Sequence, residues 1–332
     1  MVLNLNNMNK LFSIIKFIFY TTILFFVLNS YSYASGTLIL TPENPGPYEE
    51  VTINYKNYSF DIDNADYTWS INNKPVLSGK GEKILKTKTG DIGSVLNISV
   101  KITSPEGEET TLLLNLLPQT VDLTWETTES HVPPFYEGRS LPGENSEVRV
   151  IANPIFSEDG KLIKPSEISY AWYINDKFNS ASSGRGRQVL KTRLDYLSNE
   201  NIIKVIARSE KGSIAEKRIT IYPNEIVPIF YSKDPIYGLD LAHGIKKRFE
   251  TTKDFTLEVV PYFLSNKNNL AREITYAWSL DGIPFETEEN TVVAFAPKKD
   301  SYGVKNLSIS IKNPKRMLQS VEGQLEIIFD TR

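Results

Sequence analysis

Three carboxylates, Asp61, Asp63 and Asp66, lie within a stretch of six residues. Alternating carboxylates on a loop could supply oxygen ligands to calcium, which needs several of them on a flexible segment. The stretch departs from the EF-hand pattern, because Ala65 stands at the third ligand position and no glycine follows it. Two interpretations therefore remain open: a calcium site at these three carboxylates, or an Asx-rich loop that precedes a strand.

The sequence offers few residues for catalysis or metal binding by histidine or cysteine. His131 and His243 are the only histidines and are far apart, and the chain has no cysteine. Neither histidine lies in a nucleophile elbow or has a second histidine at metal-ligand spacing. Carboxylate pairs for glycoside hydrolysis need not be adjacent in sequence, but nothing singles one out. We therefore predict a protein that is not an enzyme, with no catalytic residue and no cofactor.

A Tyr-x-Trp pattern occurs three times, about 100 residues apart, which is the length of one immunoglobulin-type sandwich. Such a pair could form a flat aromatic platform for a sugar ring. On a strand, however, residues two apart point to the same face, and a tryptophan at the centre of a sandwich is ordinary core. The recurrence favours the core. The predicted core residues are Trp69, Trp172, Trp278, Tyr67, Tyr170 and Tyr276.

A proline-rich aromatic stretch is the candidate interaction loop. It consists of Pro133, Pro134, Phe135, Tyr136 and Arg139. Prolines reduce the entropy lost when neighbouring rings are presented, and preorganised aromatic side chains make good binding hot spots. The alternative is a loop that tucks both rings against its own sandwich or a neighbouring domain.

The elements that must position these residues are strands. Around each tryptophan, large apolar residues alternate with small or polar ones, which is the period of a half-buried strand. An Asn-Asn, Asn-Asp or Asp-Gly pair follows, and these residues tolerate the positive φ of a hairpin turn. The pattern predicts an all-β chain of three tandem immunoglobulin-like β-sandwiches at 36–117, 118–223 and 224–332. Within the third, a loop opens at Asp234-Pro235, and the polar and basic segment 238–254 could hold a helical turn.

The N-terminal segment differs from the rest. Lys10 and Lys16 precede an apolar run over 17–28, and a small-x-small motif ends at Ala34. This predicts a signal peptide at 1–34 with cleavage after Ala34, and the alternative is an uncleaved N-terminal anchor helix. Either interpretation exports the remainder, to the periplasm, the cell surface or the medium. A membrane contact is expected only through this segment, if it is uncleaved.

Composition narrows the class of partner. The formal net charge is −3 and the pI is about 5.7, which argues against nucleic-acid binding because such proteins normally carry a basic face. Hydrophobic residues make up 40% of the chain, which is enough for packed cores. An exported chain without disulfides must rely on that burial. The expected partner is an envelope protein or a glycan whose identity the sequence leaves open.

The three Tyr-x-Trp strands and their alternating neighbours resemble the bacterial immunoglobulin-like and polycystic-kidney-disease-like (PKD-like) modules of exported proteins. With the Pro-Pro-Phe-Tyr loop included, the chain also looks like a group of uncharacterised exported proteins of candidate-phylum bacteria. The resemblance implies sandwich modules behind a signal peptide, with surface interaction, adhesion or scaffolding as the expected role. It implies no activity.

Overall fold

The structure is a computed structural model, and it describes residues 36–132, 137–267 and 272–332. The predicted signal segment and the loop residues Pro133, Pro134, Phe135 and Tyr136 lie outside the described residues. The described residues form 26 strands and one short 3₁₀ helix, Pro165–Glu167. Among them, no helix has the length and hydropathy needed to cross a membrane. The all-β prediction is confirmed.

Sandwich 1 consists of a three-stranded and a four-stranded antiparallel sheet. The strand orders are β1-β2-β5 and β4-β3-β6-β7. The strands are Thr37–Thr41 (β1), Glu50–Lys56 (β2), Asp66–Ile71 (β3), Lys74–Lys80 (β4), Ile84–Lys88 (β5), Leu96–Thr103 (β6) and Glu109–Leu116 (β7). Buried residues of both sheets share one core, because alternate residues of β2, β3 and β6 point inwards.

Sandwich 2 repeats this plan with added short strands. Its strands are Thr120–Thr127 (β8), Glu147–Ile155 (β9), Ser157–Glu158 (β10), Lys161–Leu162 (β11), Ser169–Ile174 (β12), Lys177–Phe178 (β13), Gly184–Arg185 (β14), Val189–Arg193 (β15), Asn201–Arg208 (β16) and Ile214–Ile221 (β17). The sheet orders are β15-β9-β8 and β13-β12-β16-β17, and β14 also pairs with β12. The two main sheets enclose a second core, and β10 and β11 form a separate small hairpin.

Sandwich 3 has the orders β19-β18-β21-β24 and β20-β26-β25-β22-β23. Its strands are Val227–Asp234 (β18), Gly238–Leu239 (β19), Arg248–Thr251 (β20), Phe255–Tyr262 (β21), Thr275–Leu280 (β22), Ile283–Phe285 (β23), Val292–Phe295 (β24), Tyr302–Lys312 (β25) and Ser320–Asp330 (β26). The helical turn expected within 238–254 is wrong, since this segment contributes β19 and β20. Strand β20 runs parallel to β26 and half-buries Phe249, whose ring lies 5.0 Å from that of Phe255.

Each sandwich has one tryptophan inside its own core. Trp69, Trp172 and Trp278 are almost inaccessible to solvent. Each indole N–H donates to a backbone carbonyl oxygen further along the chain, that of Glu82 (2.7 Å), Arg187 (2.9 Å) and Asn290 (2.9 Å) respectively. The preceding tyrosines are buried in sandwiches 1 and 2 and half-buried in sandwich 3. Burial raises the pKa of each of these three tyrosines to about 12.

The turn after each tryptophan strand is held by the same pair of hydrogen bonds, which we call the turn clip. Its first residue has positive φ: Asn72 (48°), Asn175 (48°) and Asp281 (50°). The backbone N–H of this turn residue donates to the carbonyl oxygen of one residue in the strand next to the tryptophan strand. The backbone N–H of that strand residue donates in return to the side-chain oxygen of the turn residue. The bonded residues are Asn97, Ile202 and Asn306 in turn. The clip therefore fixes the hairpin to a neighbouring strand.

The chain divides into two compact units. The first contains most of sandwich 1. The second contains sandwiches 2 and 3 together, with the short segments 44–49 and 89–95. The domain boundaries at 117 and 223 stay predictions.

Candidate interaction surfaces

Two of the three carboxylates considered for calcium have other partners. Asp61 accepts the side-chain amide of Asn64 (2.7 Å) and the backbone N–H of Asp63 (3.0 Å), and these bonds hold the pKa of Asp61 below its usual value. Asp63 lies 2.5 Å from the Lys83 ammonium, and Asp66 begins β3. Over the described ranges, no three His, Cys, Asp or Glu side chains are grouped so that they could hold a metal ion. The hydrogen bonds are those of an Asx-rich loop.

The two histidines lie in different surroundings. His131 is half-buried with its ring edge-on to Tyr262 at 6.0 Å, and burial lowers its pKa. His243 is exposed, and its Nδ1 lies 2.9 Å from the Asp240 carboxylate. Arg139, the described member of the candidate loop, places its guanidinium 3.9 Å from the ring centre of Trp125 in its own sandwich.

A second loop presents two strongly exposed apolar side chains on a braced turn. We call residues 234–238, between β18 and β19, the tip. Ile236 is 84% exposed and Tyr237 is 88% exposed. Asp234 Oδ1 accepts the N–H groups of both, at 2.8 and 2.9 Å, and these two bonds lower the pKa of Asp234. Pro235 follows the aspartate, as is typical of a turn, and Gly238 has the positive φ (79°) with which such a turn ends.

The base of the tip is anchored by ion pairs and by a hydrogen bond between two tyrosine hydroxyls. Lys233 Nζ lies 3.1 Å from carboxylate oxygens of both Glu258 and Glu289, and those hydrogen bonds raise the pKa of Lys233. Two residues earlier, the Tyr231 hydroxyl lies 2.8 Å from that of Tyr262 on the neighbouring strand. The turn therefore projects from the end of β18, which is held to its neighbours by Lys233 and Tyr231.

Sandwiches 2 and 3, within their shared compact unit, meet through a buried polar cluster that we call the joint. Glu129 and Arg316 form its ion pair, with side chains only 11% and 9% exposed. Arg316 donates to both carboxylate oxygens of Glu129 through its Nε (3.2 Å) and Nη2. The same carboxylate accepts the N–H of Glu147 at 3.1 Å. The pair is thus a two-point contact inside a network, the arrangement in which a buried ion pair is best compensated.

The rest of the joint is made of uncharged polar groups. Gln319 Nε2 lies within hydrogen-bond distance of the Glu144 carbonyl oxygen (2.6 Å) and of the Ser146 and Ser265 hydroxyls. The Gln319 side-chain oxygen accepts the Ser265 N–H (3.0 Å), and Asn313 donates to the Ser265 carbonyl (2.8 Å). All of these side chains except Glu144 are buried. Because each has a specific partner, the joint has one favoured geometry.

One aromatic pair lies on the outer face of sandwich 2. The rings of Tyr173 and Phe178 are 5.6 Å apart, and Lys204 Nζ lies 4.6 Å from the Tyr173 ring centre. Phe178 is exposed. Tyr173 directly follows the core tryptophan, and the equivalent residues of the other two repeats are Ser70 and Ser279. The aromatic pair is therefore specific to sandwich 2.

The chain was compared with protein families, curated proteins and solved structures. No family model matches the chain. No curated protein matches it either. Among solved structures, the fibronectin(III)-like modules of Clostridium thermocellum CbhA are 12% identical, with a TM-score of 0.27 over 57% of this chain and 95% of that one. The three N-terminal domains of the bacteriophage RB49 outer capsid protein Hoc are also 12% identical, with a TM-score of 0.25 over 90% and 99%.

A bacterial ice-binding adhesin gives a similar result, with 10% identity and a TM-score of 0.24 over 86% of this chain and 92% of that one. At such identities and TM-scores nothing about function is taken from these proteins. The assignment of this chain to tandem sandwiches rests on its own sheets and cores.

Sequence reasoning placed a loop at the tip without singling out Ile236 and Tyr237, and it missed the joint. The Asp-Pro-x-x-Gly turn was a signal for the tip, but the segment was interpreted as a loop leading to a helical turn. The joint left no local signal, because Glu129 and Arg316 are separated by most of two sandwiches in sequence.

Proposed function

We propose that this chain is an exported, non-enzymatic interaction or scaffolding protein that binds an envelope partner through the tip. The observation that carries the proposal is the exposure of Ile236 and Tyr237 on a turn already fixed by Asp234. A bound tyrosine buries a large apolar area at the loss of few rotatable bonds. A braced turn loses less conformational entropy on binding than a flexible one, so more of the contact energy remains for affinity.

The joint supports the same role. It holds sandwiches 2 and 3 in one geometry through the Glu129–Arg316 pair and the bonds of Gln319. A tip carried by such a body reaches a partner in a fixed direction. The predicted signal segment at 1–34 would deliver the chain to the periplasm or the surface of a bacterial cell, with the N-terminal segment as its only attachment if it stays uncleaved.

A photocrosslinking amino acid at position 237 tests the proposal in the producing cell. The matched control places the same residue at Tyr58, which is 97% exposed in sandwich 1. We expect position 237 to yield a discrete crosslinked product that position 58 does not yield, and Ile236→Ser in the same chain to reduce it at least several-fold. Identical products from both positions, or none at 237, would refute the tip as the binding element.

The alternative function is carbohydrate binding, and the Tyr173–Phe178 pair is the observation that favours it. Two adjacent rings with a cation beside them could stack on a sugar and hydrogen-bond its hydroxyls. Titration of envelope glycans into the protein, read by calorimetry, tests this. Binding that Phe178→Ala abolishes and Ile236→Ser leaves intact would assign glycan recognition to sandwich 2 and not to the tip.

A further inference from the structure

The three sandwiches differ in how the outer edge of their last strand is protected. In sandwich 3, β26 is paired on both sides, by β25 and by the parallel strand β20. In sandwich 2, β17 ends its sheet and carries Glu216, Lys217 and Arg218 in succession, charges that discourage a further strand. In sandwich 1, β7 ends its sheet, and seven successive residues, 110–116, are uncharged.

The edge of β7 lacks the other usual protections as well. Its pairing with β6 continues over all eight residues without a bulge, and the strand contains no proline. The one charge, on Glu109, is matched by Lys101 at 2.8 Å. Leu113 is 79% exposed at the middle of the strand. An unbulged strand with an uncharged edge of this kind is a template for another strand.

We propose that β7 pairs antiparallel with β7 of a second copy of this chain. A two-fold axis through the sheet at Leu113 keeps inward-facing residues opposite inward-facing ones. In that register Leu113 faces the second copy's Leu113, and Leu112 faces the second copy's Leu114. Thr111 faces the second copy's Asn115, and both are exposed polar side chains that can hydrogen-bond each other.

A second copy is favoured over a foreign strand because, in this register, the leucines at 112–114 face leucines and Thr111 faces Asn115. No charged residue falls within the paired stretch, so no like charges oppose each other across the axis. The two four-stranded sheets would join into one continuous sheet. The pairing covers few residues, and we therefore expect a weak dimer that depends on protein concentration.

Sedimentation of the exported chain over a range of concentrations tests the pairing, with Leu113→Lys as the variant. Two lysines would then oppose each other at the axis, and dimer formation should fall at least tenfold. The matched control is Leu197→Lys, since Leu197 is equally exposed (80%) in a turn of sandwich 2. This control should associate as the unchanged chain does.

Oxidative crosslinking gives a second readout that does not depend on the lysine variant folding. The chain has no cysteine, so Leu113→Cys introduces its only thiol. Directly paired antiparallel residues have Cα atoms within the range of a disulfide. We expect Leu113→Cys to form a disulfide-linked dimer on oxidation and Leu197→Cys to form none.

A monomeric unchanged chain at every concentration, equal crosslinking at both positions, or a dimer that Leu113→Lys leaves intact would overturn the proposal. Capture of a different protein through β7 by a monomeric chain would assign the edge to a foreign strand and would overturn it too. None of these results depends on the tip, so the two proposals fail separately.

Discussion

Removal of the Arg316 guanidinium should destabilise sandwiches 2 and 3 strongly. In Arg316→Ala the Glu129 carboxylate keeps the N–H of Glu147 but loses both arginine bonds, in a site where it is 11% exposed. An unpaired buried charge of this kind costs about 3–5 kcal/mol. For a unit of this size, each kcal/mol shifts the unfolding midpoint by roughly 2–4 °C. The expected fall in the calorimetric midpoint of the second unit is therefore about 6–20 °C.

The double variant Glu129→Gln with Arg316→Met separates the loss of a bond from the burial of a charge. It removes both charges and keeps an acceptor for the Glu147 N–H, so the loss should be at most about 2 kcal/mol. As an exposed control, Arg185→Ala breaks the pair with Glu210 and should cost at most about 1 kcal/mol. Denaturant unfolding followed by tryptophan fluorescence measures all three. The reasoning fails if the double variant is as unstable as Arg316→Ala, or if Arg316→Ala matches the exposed control.

Three further outcomes follow from single sites. Trp172→Phe leaves the Arg187 carbonyl without its indole donor and creates a void, so the free energy of unfolding should fall by about 2–4 kcal/mol in urea titrations. Burial lowers the pKa of His131 in the folded protein, so the contribution of the neutral imidazole to stability is complete above the ordinary pKa of 6.5 and is lost as the pH falls through the lowered pKa. The variant His131→Asn should therefore reduce the dependence of the unfolding free energy on pH between pH 7 and 5. An unchanged dependence would contradict this. A Cβ at Gly143 would lie 2.2 Å from the Phe263 carbonyl oxygen, so Gly143→Ala should lower the midpoint of the second unit by calorimetry, at a cost of about 1–3 kcal/mol.

The architecture could be predicted from local patterns because a strand in a sandwich shows its buried face at every second residue. The tryptophan strands β3, β12 and β22 were found in this way, and the turn pairs after them have the positive φ that their residue types allow. These features depend on a few neighbouring residues, which is why the sequence is sufficient to find them.

The third sandwich shows where such local signals stop. Gly79 and Gly81 follow Trp69, and Gly184 and Gly186 follow Trp172, but no Gly-x-Gly pair follows Trp278. The Trp278 indole nevertheless donates to a backbone carbonyl oxygen in the equivalent way. The glycines are therefore one solution to bringing a backbone under the indole and not a requirement. The helical turn expected within 238–254 failed because the parallel pairing of β20 with β26 depends on residues far away in sequence.

The candidate surfaces were predicted less well than the fold. Arg139 of the candidate loop packs on Trp125, while the other four members lie outside the described residues. The tip combines a local turn signal with exposure, and exposure follows only from the tertiary arrangement. The joint depends on contacts between residues of two sandwiches, for which one sequence carries no periodic signal.

The turn clips have a consequence for the order in which each sandwich assembles. A hairpin closes within a few residues, but its clip joins Asn72 to Asn97, Asn175 to Ile202 or Asp281 to Asn306, across about 25 positions of chain. Closing that longer loop loses chain entropy before any bond forms. The hairpin should therefore arise early in folding, and docking of the next strand should become cooperative only when the clip engages. Substitutions at the first residue of the turn would then slow folding more than they speed unfolding.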